Sequence, residues 1–214
     1  MIRILLVEDH AVVRNGYRRL LDAEQDMRVV AEAASADEAY ACLVAGGVDL
    51  AVVDLNLKGG SGIEAIRRML AREPGLRVLV ISMHDNPSFV TQAMRAGALG
   101  YLTKNSEPEE MLTGLREVAA GRRVLSEDVA RAVAAAALEG DAPLARLTPR
   151  EFDVLRLAAR GESPGTIARS MHLSQKTIHN HLSAIRQKLE ADNDFKLLQL
   201  AARYGLIDWS AGVS

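Results

Sequence analysis

The chain has 214 residues, of which 49 % are hydrophobic and 25 % charged, so it can bury the core of one large or two modest domains, and whole-chain disorder is excluded. No apolar run approaches the roughly 18 residues that cross a bilayer, and acidic residues come too early for a secretory signal, which predicts a cytoplasmic protein with no membrane partner. The net charge of −2 hides an excess of Lys and Arg over Asp and Glu in residues 145–214, so this segment is the better candidate for contacts with phosphates.

Residues 1–121 alternate five times between apolar runs of strand length and helical segments. The predicted strands run from Ile2 to Val7, Met27 to Ala34, Ala51 to Val53, Val78 to Ile81 and Tyr101 to Lys104. Because parallel neighbours require crossover connections, this alternation predicts an α/β domain with a doubly wound, five-stranded parallel sheet of the flavodoxin-like type. Such a sheet binds ligands at the carboxyl ends of its strands.

The remainder of the chain predicts a linker and a second domain. Residues 122–146 combine an alanine-rich helical piece, Val129 to Leu138, with a Gly- and Pro-containing stretch that suits a linker. Residues 147–209 predict a small all-α domain. The predicted N-caps of its helices are Thr148, Ser163, Ser174 and Asp194.

Polar side chains follow four of the predicted strands, and the sheet would bring them to one edge. They are Glu8, Asp9, Asp54, Ser82 and Lys104. Three carboxylates that are ionised at neutral pH repel each other unless a cation intervenes, and a hard ion such as Mg²⁺ would relieve this repulsion. Asp54 could then attack a phosphoryl group while Lys104 and Mg²⁺ neutralise its oxygens and Ser82 donates to one of them. Tyr101 would repack behind Ser82 as it moves inward.

Each of these residues also has an ordinary structural interpretation. A single Asp at a strand end is more often a helix cap or a solvated turn residue, and acids commonly begin helices. His10, beside the pocket, is interpreted as a helix-start residue or an outer neighbour of the site rather than as a catalyst. The full combination at four strand ends is far more specific than any one of its members.

With these residues in place, residues 1–121 resemble the receiver domain of bacterial two-component response regulators. The motifs that carry the resemblance are Val7-Glu8-Asp9, Val53-Asp54-Leu55, Ser82-Met83 and Gly100-Tyr101-Leu102-Thr103-Lys104. The resemblance implies that Asp54 is the phosphoacceptor for a sensor histidine kinase, and that Ser82 and Lys104 relay the signal. It also implies that Mg²⁺ is held by Glu8, Asp9, Asp54 and the backbone carbonyl of Asn56. Lys58 departs from the family, which usually has proline there.

Residues 174–189 have helical periodicity with two contrasting faces. Ile178, Leu182, Ile185 and Leu189 form an apolar stripe. The opposite face presents Lys176, His179, Asn180, Ser183, Arg186 and Gln187, and it carries no carboxylate before Glu190. An ordinary amphipathic helix and the second helix of a helix-turn-helix are equally compatible with this pattern alone.

The flanking motifs favour the helix-turn-helix, because residues 147–207 resemble the DNA-binding domain of LuxR/NarL-type regulators. These motifs are Leu147-Thr148-Pro149-Arg150-Glu151, Ile167-Ala168, Leu173-Ser174, Lys176-Thr177-Ile178 and Asn180-His181-Leu182. The resemblance implies that helix 175–189 enters the major groove of promoter double-stranded DNA. His179, Asn180 and Ser183 would face bases, and Lys176, Thr177 and Arg186 would lie near phosphates. His179 stands where many relatives carry lysine.

The last predicted helix carries apolar residues on two faces. Leu197, Leu200 and Tyr204 form one of them, and we interpret it as a dimerisation surface or as ordinary packing. The resemblance favours a homodimer formed on phosphorylation, with RNA polymerase as a further candidate partner.

We therefore predict a response regulator that binds DNA and regulates transcription. It would not be an enzyme beyond its own phosphorylation and dephosphorylation. Two alternatives stay open: a receiver-type regulator that acts without phosphorylation, and an aspartyl phosphotransferase or phosphatase that uses Mg²⁺ on an external substrate. A dinucleotide enzyme is disfavoured because acids follow the first strand where a glycine-rich loop would be expected.

Overall fold

A computed structural model describes residues 1–57, 60–139 and 143–207, which form two compact units, Met1–Ala134 and Ala135–Ser214. Lys58 and the last residues of the predicted 147–209 domain lie outside the described residues. Within the described ranges, no helix is both long and apolar enough to cross a membrane.

The first unit is a parallel sheet with intervening helices. Its elements are β1 (Ile2–Val7), α1 (Ala11–Asp22), β2 (Met27–Ala33), α2 (Ala36–Ala45), β3 (Leu50–Val53), α3 (Gly62–Arg72), β4 (Arg77–Ser82), α4 (Pro87–Ala96), β5 (Gly100–Thr103), α5 (Pro108–Ala119), β6 (Val124–Leu125) and the first part, as far as Ala134, of α6 (Glu127–Glu139). The strand order is β2-β1-β3-β4-β5-β6, and every pairing is parallel. All four residues of β3 and the last five of β4 are buried, as their uninterrupted apolar sequences predicted.

The sheet has six strands, so the prediction of five was wrong in this respect. The additional strand, β6, lies in the segment predicted to be linker, where Val124 pairs with Gly100 and Leu125 with Tyr101. A strand of two residues is too short to show any periodicity, and it forms because the exposed edge of β5 offers unpaired backbone groups. The predicted limits 1–121, 122–146 and 147–209 otherwise stay predictions.

The loop after β3 returns very close to the strand, and this places the beginning of α3 beside Asp54. Gly62 is the residue at closest approach, because a Cβ atom built on it would lie 2.2 Å from the backbone oxygen of Asp54. Ser61 caps α3 by accepting hydrogen bonds from the backbone N–H groups of Ile63 and Glu64. Any side chain at position 62 would therefore displace the backbone that carries Asp54.

The second unit is helical, with a short 3-10 turn at Pro143–Arg146 followed by four helices. These are α7 (Pro149–Ala159), α8 (Pro164–Ser170), α9 (Gln175–Lys188) and α10 (Asp194–Arg203). The predicted caps Thr148, Ser163 and Ser174 are confirmed, and Thr148 forms a complete capping box with Glu151. The cap of α10 is Asn193 rather than Asp194, which is instead the first helical residue.

A tight turn joins α8 to α9 and completes a helix-turn-helix. His172 takes the left-handed conformation with φ of 53°, and the N–H of Leu173 bonds to the carbonyl of Ala168 at 2.9 Å. This is the pattern of a Schellman ending, in which one left-handed residue stops the helix. Ser174 then begins α9 immediately, so only a few residues separate the two helices.

Candidate functional site

The acidic residues predicted to share one edge of the sheet are brought together. Val7 and Val53 are partners in the β1–β3 ladder, so Glu8 and Asp54 leave adjacent strands side by side. Lys104, which follows β5, bridges them: its ammonium donates to Glu8 Oε2 at 2.6 Å and to Asp54 Oδ2 at 2.7 Å. The side chains of both acids are almost fully buried, and that of Lys104 is 12 % exposed.

Burial and pairing oppose each other in the electrostatics of this cluster. Burial raises the pKa of the Asp54 carboxyl above its ordinary value, although hydrogen bonding to Lys104 acts in the opposite direction. Burial also acts to raise the pKa of Glu8, but hydrogen bonds from Lys104 and the His10 backbone outweigh it, so this pKa is lowered. The pKa of Lys104 is raised, because its bonds to both carboxylates outweigh the effect of its burial.

The donor set at this edge fits a divalent cation. Ligand atoms from Glu8, Asp9, His10 and Asp54 all lie within 4.8 Å of one another. The three carboxylates carry more negative charge than Lys104 compensates, and carboxylate oxygens are the ligands that Mg²⁺ prefers. The backbone N–H of Asn56 donates to Asp54 Oδ1 at 3.2 Å, which keeps the Asn56 backbone next to the same carboxylate.

Ser82 and Tyr101 lie behind this cluster and are both buried. The Ser82 hydroxyl oxygen accepts the backbone N–H of His84 at 3.2 Å, and the Tyr101 hydroxyl donates to the His84 carbonyl at 2.7 Å. Burial raises the pKa of Tyr101 far above its ordinary value, so its hydroxyl stays protonated. Both side chains therefore contact the same loop residue.

His84 was not among the predicted site residues, yet its side chain lies beside Asn56 at the site. The ring stacks on Phe89 with centroids 4.2 Å apart, and its Nε2 lies 3.0 Å from the side-chain nitrogen of Asn56. Asn56 and His84 each stand two residues beyond a predicted site residue, Asp54 and Ser82 respectively. That matching spacing at the ends of adjacent strands was the available signal.

In the second unit, α9 presents the expected polar face. Lys176, His179, Asn180 and Ser183 are exposed, while Ile178 and Ile185 are buried. The His179 Nδ1 atom lies 2.8 Å from the Gln175 carbonyl, which directs its other ring nitrogen outward. These four exposed side chains are available to a ligand.

Two residues predicted to lie near phosphates have partners inside the unit. The Thr177 hydroxyl is 2.8 Å from that of its helix cap, Ser174. The Arg186 guanidinium donates to Asp194 Oδ1 at 2.6 Å. A phosphate contact by Arg186 would therefore require it to exchange Asp194 for the phosphate.

The apolar face of α10 differs from the predicted one. Leu197 is only 5 % exposed and belongs to the core, and Leu200 and Tyr204 are half-buried. The exposed apolar side chains are Phe195, at 73 %, and Leu198, at 40 %. Leu197 is thus unsuited to an intermolecular contact, because α10 turns that face toward its own domain.

Comparisons with known proteins assign both halves of the chain. Residues 4–116 match the response regulator receiver domain, and residues 145–201 match the bacterial regulatory proteins of the luxR family. The response regulator UvrY of Escherichia coli O6:H1 is 32 % identical over 209 residues, 96 % of each chain. The DNA-binding transcriptional activator DevR/DosR of Mycobacterium tuberculosis is 38 % identical over 192 residues, 88 % of each.

A solved relative has a similar structure over nearly the whole chain. RcsB from Salmonella enterica serovar Typhimurium, bound to promoter rprA in the presence of phosphomimetic BeF3-, is 26 % identical, with a TM-score of 0.75 over 94 % of this chain and 98 % of that one. Another structure contains two RcsB dimers bound to two parallel DNAs. The chain therefore belongs to the LuxR family of two-component response regulators and is a DNA-binding regulator of transcription.

Proposed function

We propose that Asp54 accepts a phosphoryl group from a sensor histidine kinase and that this modification controls DNA binding by α9. One observation carries the proposal: the buried Asp54 carboxylate ends a central strand beside Glu8 and is held by Lys104 at 2.7 Å. Receiver domains generally bind Mg²⁺, and Glu8, Asp9, Asp54 and the Asn56 carbonyl would hold it here. The ion would neutralise charge on the phosphoryl oxygens.

In the transfer step, an oxygen of Asp54 attacks phosphorus as the bond between phosphorus and the donor nitrogen breaks. The donor imidazole leaves and takes up a proton from solvent, and the product is an acyl phosphate. Lys104 is placed to leave its bond with Asp54 Oδ2 and pair with a phosphoryl oxygen. Apart from this step and its hydrolysis, no other substrate is required, so the protein is a regulator and not a classical enzyme.

Ser82 and Tyr101 would convert the new charge into a change of shape. A phosphoryl group adds roughly 1.5 to 2 negative charges at neutral pH and offers strong acceptor oxygens. The Ser82 hydroxyl, which now accepts from the His84 backbone at 3.2 Å, would donate to one of those oxygens. Because Tyr101 is bonded to the same residue at 2.7 Å, it would move with that loop.

On the DNA side, we propose that α9 lies in the major groove. His179, Asn180 and Ser183 would face base edges, and Lys176 and Arg186 would approach phosphates, with Thr177 serving mainly as part of the helix cap. If the His179 Nδ1 atom donates to Gln175, its Nε2 atom is an acceptor and would select bases that present amino groups.

We also propose a homodimer, since paired half-sites on DNA require two copies of the reading helix. We propose Phe195 and Leu198, rather than the buried Leu197, as the contact residues, with Leu200 and Tyr204 beside them.

RNA polymerase is a further proposed partner. Because its proposed ligand is promoter DNA, we place the protein in the cytoplasm. We retain residues 147–209 as the DNA-binding domain and assign β6, at Val124–Leu125, to the receiver.

The experiment that tests the phosphoacceptor incubates the full chain with Mg²⁺ and acetyl phosphate and locates the adduct by mass spectrometry. We expect one adduct on Asp54 and none in Asp54→Asn. An adduct on another residue would contradict the proposal. Sustained hydrolysis of a small phosphoester would favour the phosphotransferase alternative. Equal DNA affinity with and without the adduct would favour regulation without phosphorylation.

A further inference from the structure

His10 follows Glu8 and Asp9 and is the residue before α1. Its ring nitrogen Nδ1 points toward the carboxylates of these two acids. Its Nδ1 atom lies 2.9 Å from Asp9 Oδ1 and 3.1 Å from Glu8 Oε1. Its ring is 57 % exposed, so it reaches the cluster from the solvent side while the Glu8 carboxylate forms the buried floor. The three side chains therefore converge on one point.

Helix capping does not explain this orientation. His10 has the extended backbone typical of an N-cap residue, yet its side chain makes no capping hydrogen bond among the residues that the structure describes. Its backbone N–H instead donates to Glu8 Oε1 at 3.0 Å. Both the backbone and the ring of His10 are thus directed at the carboxylates and away from the helix that it begins.

The His10 Nδ1 atom lies at ion-pair distance from both carboxylates, and the same spacing is that of ligand atoms around one metal ion. Two ligand atoms bound at about 2.1 Å and at right angles to each other lie about 3.0 Å apart. The distances from Nδ1 to the Asp9 and Glu8 oxygens, 2.9 and 3.1 Å, match this value. A ligand atom of Asp54 falls within the same 4.8 Å cluster, which gives three oxygens and one nitrogen.

Lys104 does not bond to the Glu8 and Asp9 oxygens that face His10. Its ammonium bonds to Glu8 Oε2 and Asp54 Oδ2, whereas the His10 ring faces Glu8 Oε1 and Asp9 Oδ1. The ammonium and a metal ion would therefore use different oxygens of the shared Glu8 carboxylate. The two cations can be held together by the cluster.

We propose that His10 is a direct ligand of the divalent ion in this site and biases the site toward transition metals that favour imidazole, such as Zn²⁺ and Ni²⁺, relative to Mg²⁺. Imidazole nitrogen suits transition metals, whereas Mg²⁺ favours sets composed of oxygen. The inference rests on the metal site of the proposed function and adds to it a fourth side chain and a preference among ions.

Pulsed electron paramagnetic resonance of the full chain loaded with Mn²⁺, without phosphodonor, tests the ligand directly. We expect nitrogen hyperfine coupling typical of a bound imidazole. The coupling should vanish in His10→Asn and in His10→Gln. His84→Asn is the matched control, because His84 is the other histidine beside the site, 3.0 Å from Asn56, and its removal should leave the coupling intact.

Calorimetric titration of the same variants with Ni²⁺, Zn²⁺ and Mg²⁺ measures the preference. We expect His10→Asn to weaken Ni²⁺ and Zn²⁺ binding about tenfold or more and Mg²⁺ binding about twofold or less. Bound Mn²⁺ without nitrogen coupling, or coupling that survives both His10 substitutions, would overturn the role of His10 alone. Failure of every ion to bind would overturn the metal site of the proposed function as well.

Discussion

The receiver edge and the polar face of α9 differ in whether their polar and charged side chains bond to groups within the protein. At the receiver edge, Lys104 bonds to two buried carboxylates, so these three charged groups already have partners within the protein. On α9, Lys176, Asn180 and Ser183 are exposed and point away from the core. The charged groups of the receiver edge therefore act by exchanging one partner within the protein for another. The polar side chains of α9 are instead exposed for a ligand outside the protein. Substitutions should accordingly affect stability and chemistry together in the first region, and binding alone in the second.

Among the substitutions that test this difference, we expect Lys104→Ala to cause the largest loss of stability. Removing the ammonium leaves the buried carboxylates of Glu8 and Asp54 without their shared partner. We expect the free energy of unfolding to fall by about 3–5 kcal/mol in metal-free buffer, and Mg²⁺ to bind more tightly and restore much of the loss. Urea unfolding with and without Mg²⁺ measures both. Unchanged stability in the absence of metal would show that the bridge is not a structural element.

Asn180→Ala tests the other side of the contrast. We expect it to weaken specific DNA binding by about 1–3 kcal/mol and to relax base preference at one position, with the unfolding free energy unchanged because the side chain is exposed. Lys176→Ala is the matched control: it should weaken binding to all sequences and reduce the slope of log affinity against log salt by about 1. Binding assays at several salt concentrations distinguish the two. Equal losses across all sequences for both variants would contradict base reading by Asn180.

Glu151 is an exception in the DNA-binding unit, because its charge has internal partners. Burial acts to raise its pKa, but hydrogen bonds from Lys188 and Thr148 outweigh burial and lower it. A lowered pKa stabilises the fold above the ordinary Glu value near 4.3, and this contribution is lost as pH falls through the lowered value. We expect Glu151→Gln to destabilise α7 by about 1 kcal/mol at neutral pH and to have little effect once the pH is below both values. Hydrogen exchange of α7 measures this, and a loss that persists at low pH would contradict the assignment.

The smallest expected effect concerns the joint between the receiver sheet and α6. Thr103 is buried at the end of β5, and its hydroxyl donates to Asp128 Oδ2 at 2.8 Å. Thr103→Val should destabilise β6 and the beginning of α6 by about 1 kcal/mol, while Asp54 still accepts a phosphoryl group. Faster amide exchange confined to these elements is the expected observation. Exchange that is equally fast throughout the sheet would indicate a global effect instead.

The contrast also explains how much could be predicted from the sequence. The buried strands and the helix caps are local features: an apolar run such as β3, or a Ser174 before a helix, carries its own signal. The convergence of Glu8, Asp54 and Lys104 could be predicted because strand ends of a parallel sheet meet at one edge. Even the polar face of α9 followed from periodicity alone.

The features that the sequence analysis missed depend on contacts between segments that are separate in the sequence. Strand β6 exists because of the edge of β5, and the contact between Asn56 and His84 joins two loops. Leu197 and Leu198 are adjacent on α10, and periodicity cannot decide which of two apolar faces turns inward until the partner helices are placed. The Arg186–Asp194 ion pair likewise joins two helices.

The most direct test of control by Asp54 compares the affinity of the full chain for one selected promoter fragment before and after treatment with acetyl phosphate and Mg²⁺, at a fixed salt concentration. Wild type and Asp54→Asn are measured side by side. We expect the treated wild type to bind about 5- to 150-fold more tightly, and Asp54→Asn to show no change. An equal gain in Asp54→Asn, or no gain in a wild type shown to be phosphorylated, would contradict control of DNA binding by Asp54.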